Sequence, residues 1–243
     1  MKASDRAQRA MLEAIADGDL PIGSDLPSEA QLAERFGVSR LTMREAVGSL
    51  AARGVLDVRQ GRRNRIADPS GWSVLDPDVM AVRARLADDS PAVIAGLMEA
   101  RQVLEVGIAR LAAERIGDEH VEQLEDALAV MRAEIDRDGD ASARADIAFH
   151  DVIVDAAGNP FLTGAFTPLQ AMLLAVRMRT SASRQVRADA IAHHERILAA
   201  LRARDADAAA SAMAAHMEQT RGATAAISLA RTPDRQQDVG RSG

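Results

Sequence analysis

Four residues in the second half of the chain have side chains of types that can bind a metal ion: Asp146, His150, His194 and His216. Asp146 and His150 are four positions apart within ADIAFHDVI, so a helix would place them on one face. His194 and His216 lie further along the chain among small apolar residues, as on the inward faces of later helices. A carboxylate and imidazoles that converge inside a helical bundle would bind a divalent ion, zinc or another first-row transition metal. The spacing also allows isolated core or surface histidines.

The segment Leu26–Leu56 has the pattern of two short helices joined by a glycine turn. Ser28 and Ser39 are placed to cap the two helices, and Gly37 interrupts the apolar spacing between them. The second helix would bury its apolar positions and turn three polar side chains outward, namely Arg40, Thr42 and Arg44. This is the layout of a helix-turn-helix, whose second helix enters the major groove of DNA. The alternative is a small helical domain whose exposed arginines are only solvated.

A β-hairpin is predicted directly after these helices. Residues 55–59 and 64–66 alternate like two short strands, with Gly61 at the turn. Four arginines and no acidic residue occupy positions 59–65, a charge pattern that suits phosphate or minor-groove contact. The sequence therefore favours a winged helix-turn-helix over an unrelated helical domain.

The elements that must position these residues follow from composition and from breaks in the helical pattern. Only 2% of the residues are aromatic and none is cysteine, so small and aliphatic side chains must fill the interior, which favours closely packed helices. Helices are predicted near 91–116, 118–137, 140–157, 160–180, 184–203 and 205–229. We expect a mainly α protein with a winged domain at 1–67, a linker at 68–90 that packs through Trp72, an all-helical antiparallel bundle at 91–230 and a disordered tail at 231–243.

The net charge of −6 is unevenly distributed along the chain. Residues 1–67 hold eleven Lys/Arg against nine Asp/Glu, a net charge of +2, whereas the remaining nineteen basic and twenty-seven acidic residues give −8. DNA affinity depends on a local basic surface, and +2 is modest, so we expect two copies to bind together. No apolar run approaches the roughly 20 residues that span a membrane, so we expect a cytoplasmic protein.

Residues from about Ile15 to Ile66 resemble the DNA-binding domain of the GntR family of bacterial regulators. The resemblance rests on Gly18-Asp19-Leu20, Leu26-Pro27-Ser28-Glu29, Phe36-Gly37-Val38-Ser39-Arg40, Arg44-Glu45-Ala46 and Gly54. Ala30 stands where many members have arginine, so one expected contact is missing. The resemblance implies that the recognition helix contacts DNA through Ser39, Arg40, Thr42 and Arg44, and that the wing tip consists of Gly61 and Arg62.

The region from about Pro91 to Ile227 resembles the FCD ligand-binding domain of the FadR subfamily. Its signatures are Glu99-Ala100-Arg101, Leu104-Glu105, Asp146-x-x-Phe149-His150, Gly158-Asn159, His194 with Ile197-Leu198, and Asp207 through Met213 to His216. Many such domains hold a divalent metal with one Asp and three His. Residue by residue, the resemblance assigns these roles to Asp146, His150, His194 and His216, and leaves out His120 and His193.

The same resemblance implies a small carboxylate effector, with sugar acids included, bound beside the metal. Arg101 is the candidate clamp for its charge, with Arg177 or Arg179 behind it, and Asn159 could donate to the ligand. Two alternatives stay open, since Arg101 could pair with Glu105 on a helix surface and Asn159 could cap the following helix. The Leu-Asp-Pro-Asp-Val stretch of the linker resembles regulators of sugar-acid catabolism.

Together these features predict a metabolite-responsive, DNA-binding transcriptional regulator, a repressor and not an enzyme. A homodimer would place two winged domains on a palindromic operator of double-stranded DNA, and the carboxylate would change the dimer geometry. Two alternatives are a metalloenzyme that uses the Asp/His site to activate water and a metal-sensing regulator without an organic effector.

Overall fold

The computed structural model describes residues 2–59, 62–86, 91–137 and 139–230, without the side chains of residues 91, 171, 175, 179 and 227–230. The predicted tail at 231–243 and the wing residue Gly61 lie outside the described residues. The chain forms two compact units, the first of Met1–Asp88 with Thr167–Met172 and the second of Asp89–Phe166 with Leu173–Gly243.

The N-terminal unit is a small helical domain with a two-stranded hairpin, as predicted. The strands β1 and β2 are antiparallel, with Leu56 opposite Ile66 and Asp57 opposite Arg65. They are shorter than predicted, and β2 also bridges to Asp25, so the loop before the first helix of the helix-turn-helix extends the hairpin. The elements are α1 (Ala3–Ala16), α2 (Glu29–Arg35), α3 (Arg40–Ala52), β1 (Leu56–Asp57), β2 (Arg65–Ile66), a 3-10 turn (Pro69–Gly71) and α4 (Pro77–Leu86).

Side-chain caps set the two helices of the helix-turn-helix. Ser28 Oγ accepts from the amide of Gln31, and Ser39 Oγ accepts from the amide of Thr42 at 3.0 Å. These bonds satisfy amides that a helix N-terminus leaves without partners, so each helix starts where the sequence predicts. Gly37 has a φ of +64° at the turn between the helices, a conformation that favours glycine.

The segment after the hairpin packs into the core of the N-terminal unit. Trp72 is 2% exposed, and its Nε1 donates to the carbonyl of Ala67 at 3.1 Å. Gly54, with a φ of +75°, comes so close to the backbone of Gly71 that a Cβ there would lie 2.6 Å from the Gly71 oxygen. The residues 68–86 are therefore a packed part of this unit, anchored by the only tryptophan of the chain.

The C-terminal unit is built from long helices, which confirms the mainly α fold. In the core, α5 packs against α11 and α7, and α6 packs against α7 and α10. Alanines such as Ala109, Ala112 and Ala143 are fully buried between these helices, in agreement with the low aromatic content. The helices are α5 (Pro91–Arg115), α6 (Asp118–Ala133), α7 (Gly139–Ala156), α8 (Pro160–Phe166), α9 (Gln170–Thr180), α10 (Arg184–Arg202) and α11 (Ala206–Ala230).

The single helix predicted for 160–180 is wrong, because the structure has two helices there. A 3-10 turn, Thr167–Leu169, separates α8 from α9. Pro168 at its centre has no amide hydrogen to donate and its ring crowds the preceding turn, so a regular helix cannot run through it.

Within the described ranges, no single helix is long and apolar enough to cross a membrane. One bent pair of helical segments, Pro160–Leu169 with Met172–Met178, is together long and apolar enough to do so, but the core helices of globular proteins often have the same length and composition.

Candidate DNA-binding surface and metal centre

The exposed surface of the helix-turn-helix lies at the start of α3. Arg40 and Arg44 are exposed, while Thr42 is half-buried and shares a hydrogen bond of 2.9 Å with the Ser39 hydroxyl. The two hydroxyls therefore order the first turn of α3, and the two arginines extend from it. Early residues of a recognition helix are the ones that reach base edges.

Glu29, at the start of α2, holds the side chain of Arg44. Its Oε2 accepts from Arg44 Nε at 3.0 Å. Among the contacts of the described residues, this bond uses only Nε and leaves both terminal nitrogens of Arg44 without a partner. In the sequence, Glu29 is recognisable only as part of the Leu26-Pro27-Ser28-Glu29 motif. Its role as a support appears once α2 and α3 are packed together.

The wing separates two kinds of arginine. Arg62 and Arg63 are exposed in the hairpin turn, where they can reach DNA phosphates. Arg65, in contrast, donates through Nε to the carbonyl of Gly23 and so ties β2 to the preceding loop. The four arginines at positions 59–65 therefore do not all have the same role, since Arg65 holds the hairpin to the loop while Arg62 and Arg63 extend into solvent.

In the C-terminal unit, the four predicted metal ligands meet in the core. Asp146, His150, His194 and His216 are all buried, and one ligand atom from each lies within 4.8 Å of the others. The Nε2 of His150 is 3.2 Å from that of His216 and 3.3 Å from that of His194. Asp146 Oδ1 is 3.5 Å from His194 Nε2. Helix α7 supplies the Asp and the first His, α10 the second and α11 the third.

These atoms fit the requirements of a divalent metal ion. A tetrahedral ion with metal–nitrogen bonds of about 2.0–2.1 Å holds its ligand atoms about 3.3–3.4 Å apart, close to the distances observed. The three imidazole Nε2 atoms and a carboxylate oxygen of Asp146 converge on one small buried volume, where each can offer a lone pair to a single ion. The donor set of one carboxylate and three imidazoles suits zinc or another first-row transition metal.

A second carboxylate, Glu105 on α5, orients one of the histidines. Its Oε2 lies 2.5 Å from His150 Nδ1, and its Oε1 accepts from Arg101 Nε at 2.6 Å. A carboxylate on Nδ1 keeps the proton there and leaves the Nε2 lone pair for a metal. The predicted pairing of Arg101 with Glu105 is present. It is buried, however, and does not lie on a helix surface.

Arg177 on α9 contacts two of the four candidate ligands. Its Nε is 2.6 Å from Asp146 Oδ2, and its Nη2 is 3.3 Å from His216 Nε2. Arg101 and Arg177 are thus both brought to the cluster. The side chain of Arg179, named with them from the sequence, lies outside the described residues.

Asn159 is not brought into this cluster. Its Oδ1 accepts from the amides of Phe161 and Leu162, which is the capping alternative. Of the two histidines left out, His120 Nδ1 accepts from the amide of Gly117 at the start of α6. The ring centre of His193 lies 5.9 Å from that of His216, beside the cluster but outside the four.

Burial and charge set the protonation states in the cluster. Burial lowers the pKa of His194 to about 3 and holds the pKa of His216 well below its usual value. Burial alone would raise the pKa of Asp146, but its charged surroundings, the Arg177 guanidinium above all, outweigh burial and lower that pKa. Arg101 and His150 likewise keep the pKa of Glu105 low against the effect of burial. These two imidazoles are therefore neutral and both carboxylates are ionised, as metal ligation requires.

The low pKa values of His194 and His216 predict that the metal-free helical unit loses stability as the pH falls below 6.5. At pH 5.5 the unfolded imidazoles are mostly protonated while the buried ones stay neutral, so each of the two histidines lowers the free energy of unfolding by on the order of 1 kcal/mol relative to pH 7.5. We expect circular dichroism in EDTA to show this loss, and His194→Ala to reduce it. Residues 1–88 contain no histidine, so the transition followed by Trp72 fluorescence should stay unchanged. Equal stability of the helical unit at both pH values would contradict the assignment.

Comparison with protein families matches both parts of the chain. Residues 3–66 match the model of bacterial regulatory proteins of the gntR family, and residues 96–219 match the FCD domain. The two matches cover the helix-turn-helix with its wing and the four clustered residues.

Curated relatives match over most of their length. The galactonate operon transcriptional repressor of Escherichia coli K12 is 32% identical over 213 residues, which are 87% of this chain and 92% of that protein. The regulator LutR of Bacillus subtilis is 32% identical and covers 84% of this chain and 92% of its own. The repressor NanR of Klebsiella aerogenes is 29% identical, with coverages of 89% and 83%. All three are transcriptional regulators and not enzymes, so the metalloenzyme alternative has no support.

Solved structures agree with this grouping. A GntR protein of Streptococcus agalactiae superposes with a TM-score of 0.51 at 28% identity, over 90% of this chain and 99% of that one. Lar of Listeria monocytogenes has the same fold with a TM-score of 0.59 at 19% identity, over 93% and 98% of the two chains. The chain therefore belongs to the GntR family and is a DNA-binding transcriptional regulator with a C-terminal FCD domain.

Proposed function

We propose that this regulator is a repressor whose operator binding is controlled by a small carboxylate at a divalent metal site in the FCD domain. The observation that carries the proposal is the buried cluster of Asp146, His150, His194 and His216, whose ligand atoms lie within 4.8 Å of one another. The names of two relatives, the galactonate operon repressor and the repressor NanR, support negative regulation.

For DNA binding, the proposal is a homodimer that reads a palindromic operator. Helix α3 would enter the major groove and contact it through Ser39, Arg40, Thr42 and Arg44, while Arg62 of the wing would reach the DNA backbone. The net charge of only +2 on residues 1–67 supports a dimer, because a single copy has few cations with which to replace phosphate counterions. Two symmetric copies double the number of contacts and match the symmetry of the operator.

The proposed effector is a sugar acid, with galactonate as the first compound to test because of the name of the E. coli relative. Arg101 supports an anionic ligand, since its Nη1 is buried and has no partner among the described residues while its Nε is bonded to Glu105. A buried guanidinium N–H without a partner is costly, and a carboxylate oxygen would satisfy it.

In this proposal, each group of the site has one task. A bound metal ion that accepts a ligand beyond the four protein side chains would supply positive charge and a coordination position for the carboxylate. Glu105 keeps the proton of His150 on Nδ1, and Arg101 receives the second carboxylate oxygen. Repression ends only if the carboxylate binds more tightly to a dimer geometry in which the two recognition helices no longer fit both half-sites.

The test is a titration of the repressor on an operator selected from random DNA. We expect release by galactonate or a related sugar acid in the presence of zinc, and no release by the acid in EDTA. Elemental analysis of the purified protein should find about one ion per chain. Release by zinc alone would favour the metal-sensing alternative, and release by the acid in EDTA would overturn the role of the metal.

A further inference from the structure

Arg177 occupies the side of the cluster where the candidate metal ligands face one another. Besides its ion pair with Asp146, its Nη2 is 3.3 Å from His216 Nε2 and its Nη1 donates to Thr220 Oγ1 at 3.4 Å. The lone pair of His216 Nε2 that accepts from Arg177 is the same lone pair that a metal ion would need. One nitrogen lone pair cannot serve both partners at once.

Among the side chains that the structure describes, the charged residues of the cluster cancel one another without a metal ion. Arg101 and Arg177 carry two positive charges, Glu105 and Asp146 carry two negative ones, and none of the four residues is more than 5% exposed. A divalent ion brings two further positive charges into this buried volume. Charges that are buried without a partner are strongly unfavourable.

We propose that Arg177 is an internal counter-cation that guards the metal site, an inference that rests on the proposed metal function. In the metal-free protein, the guanidinium pairs with Asp146 and holds the lone pair of His216. An incoming ion has to displace Nη2 from His216 and then lies beside the guanidinium charge. Metal binding is therefore weaker than the four ligands alone would allow.

The same argument gives Arg177 a second role after the ion has bound. The guanidinium that leaves His216 stays buried, next to an ion whose charge the cluster does not balance. An anion that reaches this position would pair with both. The metal-bound site thus requires an anionic ligand to balance its buried charge. The metal-free site, whose charges cancel, does not. Effector binding would follow metal binding in a fixed order through this residue.

The inference predicts that Arg177→Met binds zinc more tightly than the natural chain. Removing the guanidinium frees His216, leaves the charge of Asp146 for the ion alone and removes a repulsion, so we expect zinc affinity to rise by about ten-fold or more. The measurement is a competition titration of the full-length metal-free protein with zinc alone and a chelator of known affinity. Arg132→Met is the matched control, because Arg132 pairs with Glu195 at 2.6 Å on an exposed surface. Its zinc affinity should equal that of the natural chain.

An opposite sign would overturn the inference. If Arg177 only fixes the orientation of Asp146, Arg177→Met should bind zinc more weakly than the natural chain. Arg177→Lys provides a second test that keeps a buried charge, in case the methionine variant does not fold. Lysine keeps the repulsion of the ion but lacks the planar guanidinium, so the zinc affinity of Arg177→Lys should lie between those of the natural chain and Arg177→Met. A zinc affinity below that of the natural chain would contradict the proposed role of Arg177. If neither the natural chain nor Arg177→Met binds zinc, the proposed metal function itself fails.

Discussion

Replacing Asp146 and His194 together by alanine should abolish the effector response and leave operator binding intact. The two substitutions remove ligands from α7 and α10, so the affinity for the metal should fall at least about 100-fold, more than the loss of a supporting contact causes. Without the ion, the carboxylate loses its chelating partner, and the repressor should stay on the operator at concentrations of the acid that release the natural chain. The measurement is operator binding by fluorescence anisotropy, with and without the acid.

The chain offers a matched control for this double substitution. His120 and Asp155 form another His–Asp pair, with Nε2 3.4 Å from Oδ2, outside the cluster. Alanine at both should leave the response unchanged. Because the first double variant leaves Arg177 buried without its carboxylate, His194→Ala alone serves as a milder variant that keeps this ion pair. Retention of the full response by both cluster variants would refute the metal mechanism.

The four clustered residues could be predicted from the sequence because the spacing of Asp146 and His150 places them on one helix face and the resemblance to the FCD domain singles out His194 and His216. Their surroundings could not be predicted in the same way. Glu105 is an acidic residue four positions after Arg101, a pattern that is usual on exposed helix surfaces. Only the packing of α5 against α7 places it on His150. The sequence likewise named Arg177 as an effector ligand, and its contact with Asp146 depends on how α9 meets α7.

Local rules predicted the N-terminal fold more completely than the C-terminal one. The caps at Ser28 and Ser39 and the glycine turn at Gly37 depend on bonds between residues close in sequence, so the sequence contains what determines them. The break at Pro168 was missed because the apolar spacing continues on both sides of it. Pro168 should have predicted a break in the helix even though the helical spacing of apolar residues continues past it.

Replacing Arg44 by alanine should reduce the affinity for the selected operator and relax the preference at one base position in each half-site. A bidentate contact with a base contributes roughly 1–3 kcal/mol of discrimination, and a dimer has two such contacts. Affinity for random DNA should change little. The measurement is a competition of the operator, its single-base variants and random DNA at one fixed salt concentration.

Arg62→Ala is the control that separates base readout from phosphate contact. An exposed wing arginine that neutralises a phosphate should weaken binding to all sequences alike and lower the slope of affinity against salt. If both arginine variants weaken operator and random DNA equally, the two role assignments are wrong.

Glu29→Gln tests whether the support of Arg44 matters for this readout. A carboxylate near the DNA backbone repels phosphate, so its removal alone should raise the affinity for random DNA. If Glu29 positions Arg44, through the Oε2–Nε bond of 3.0 Å, the same change should lower the preference for the operator over its single-base variants. The opposite signs of these two effects distinguish a positioning residue from a merely repulsive one. An exposed ion pair contributes little to stability, so the folding of the N-terminal unit should not be affected.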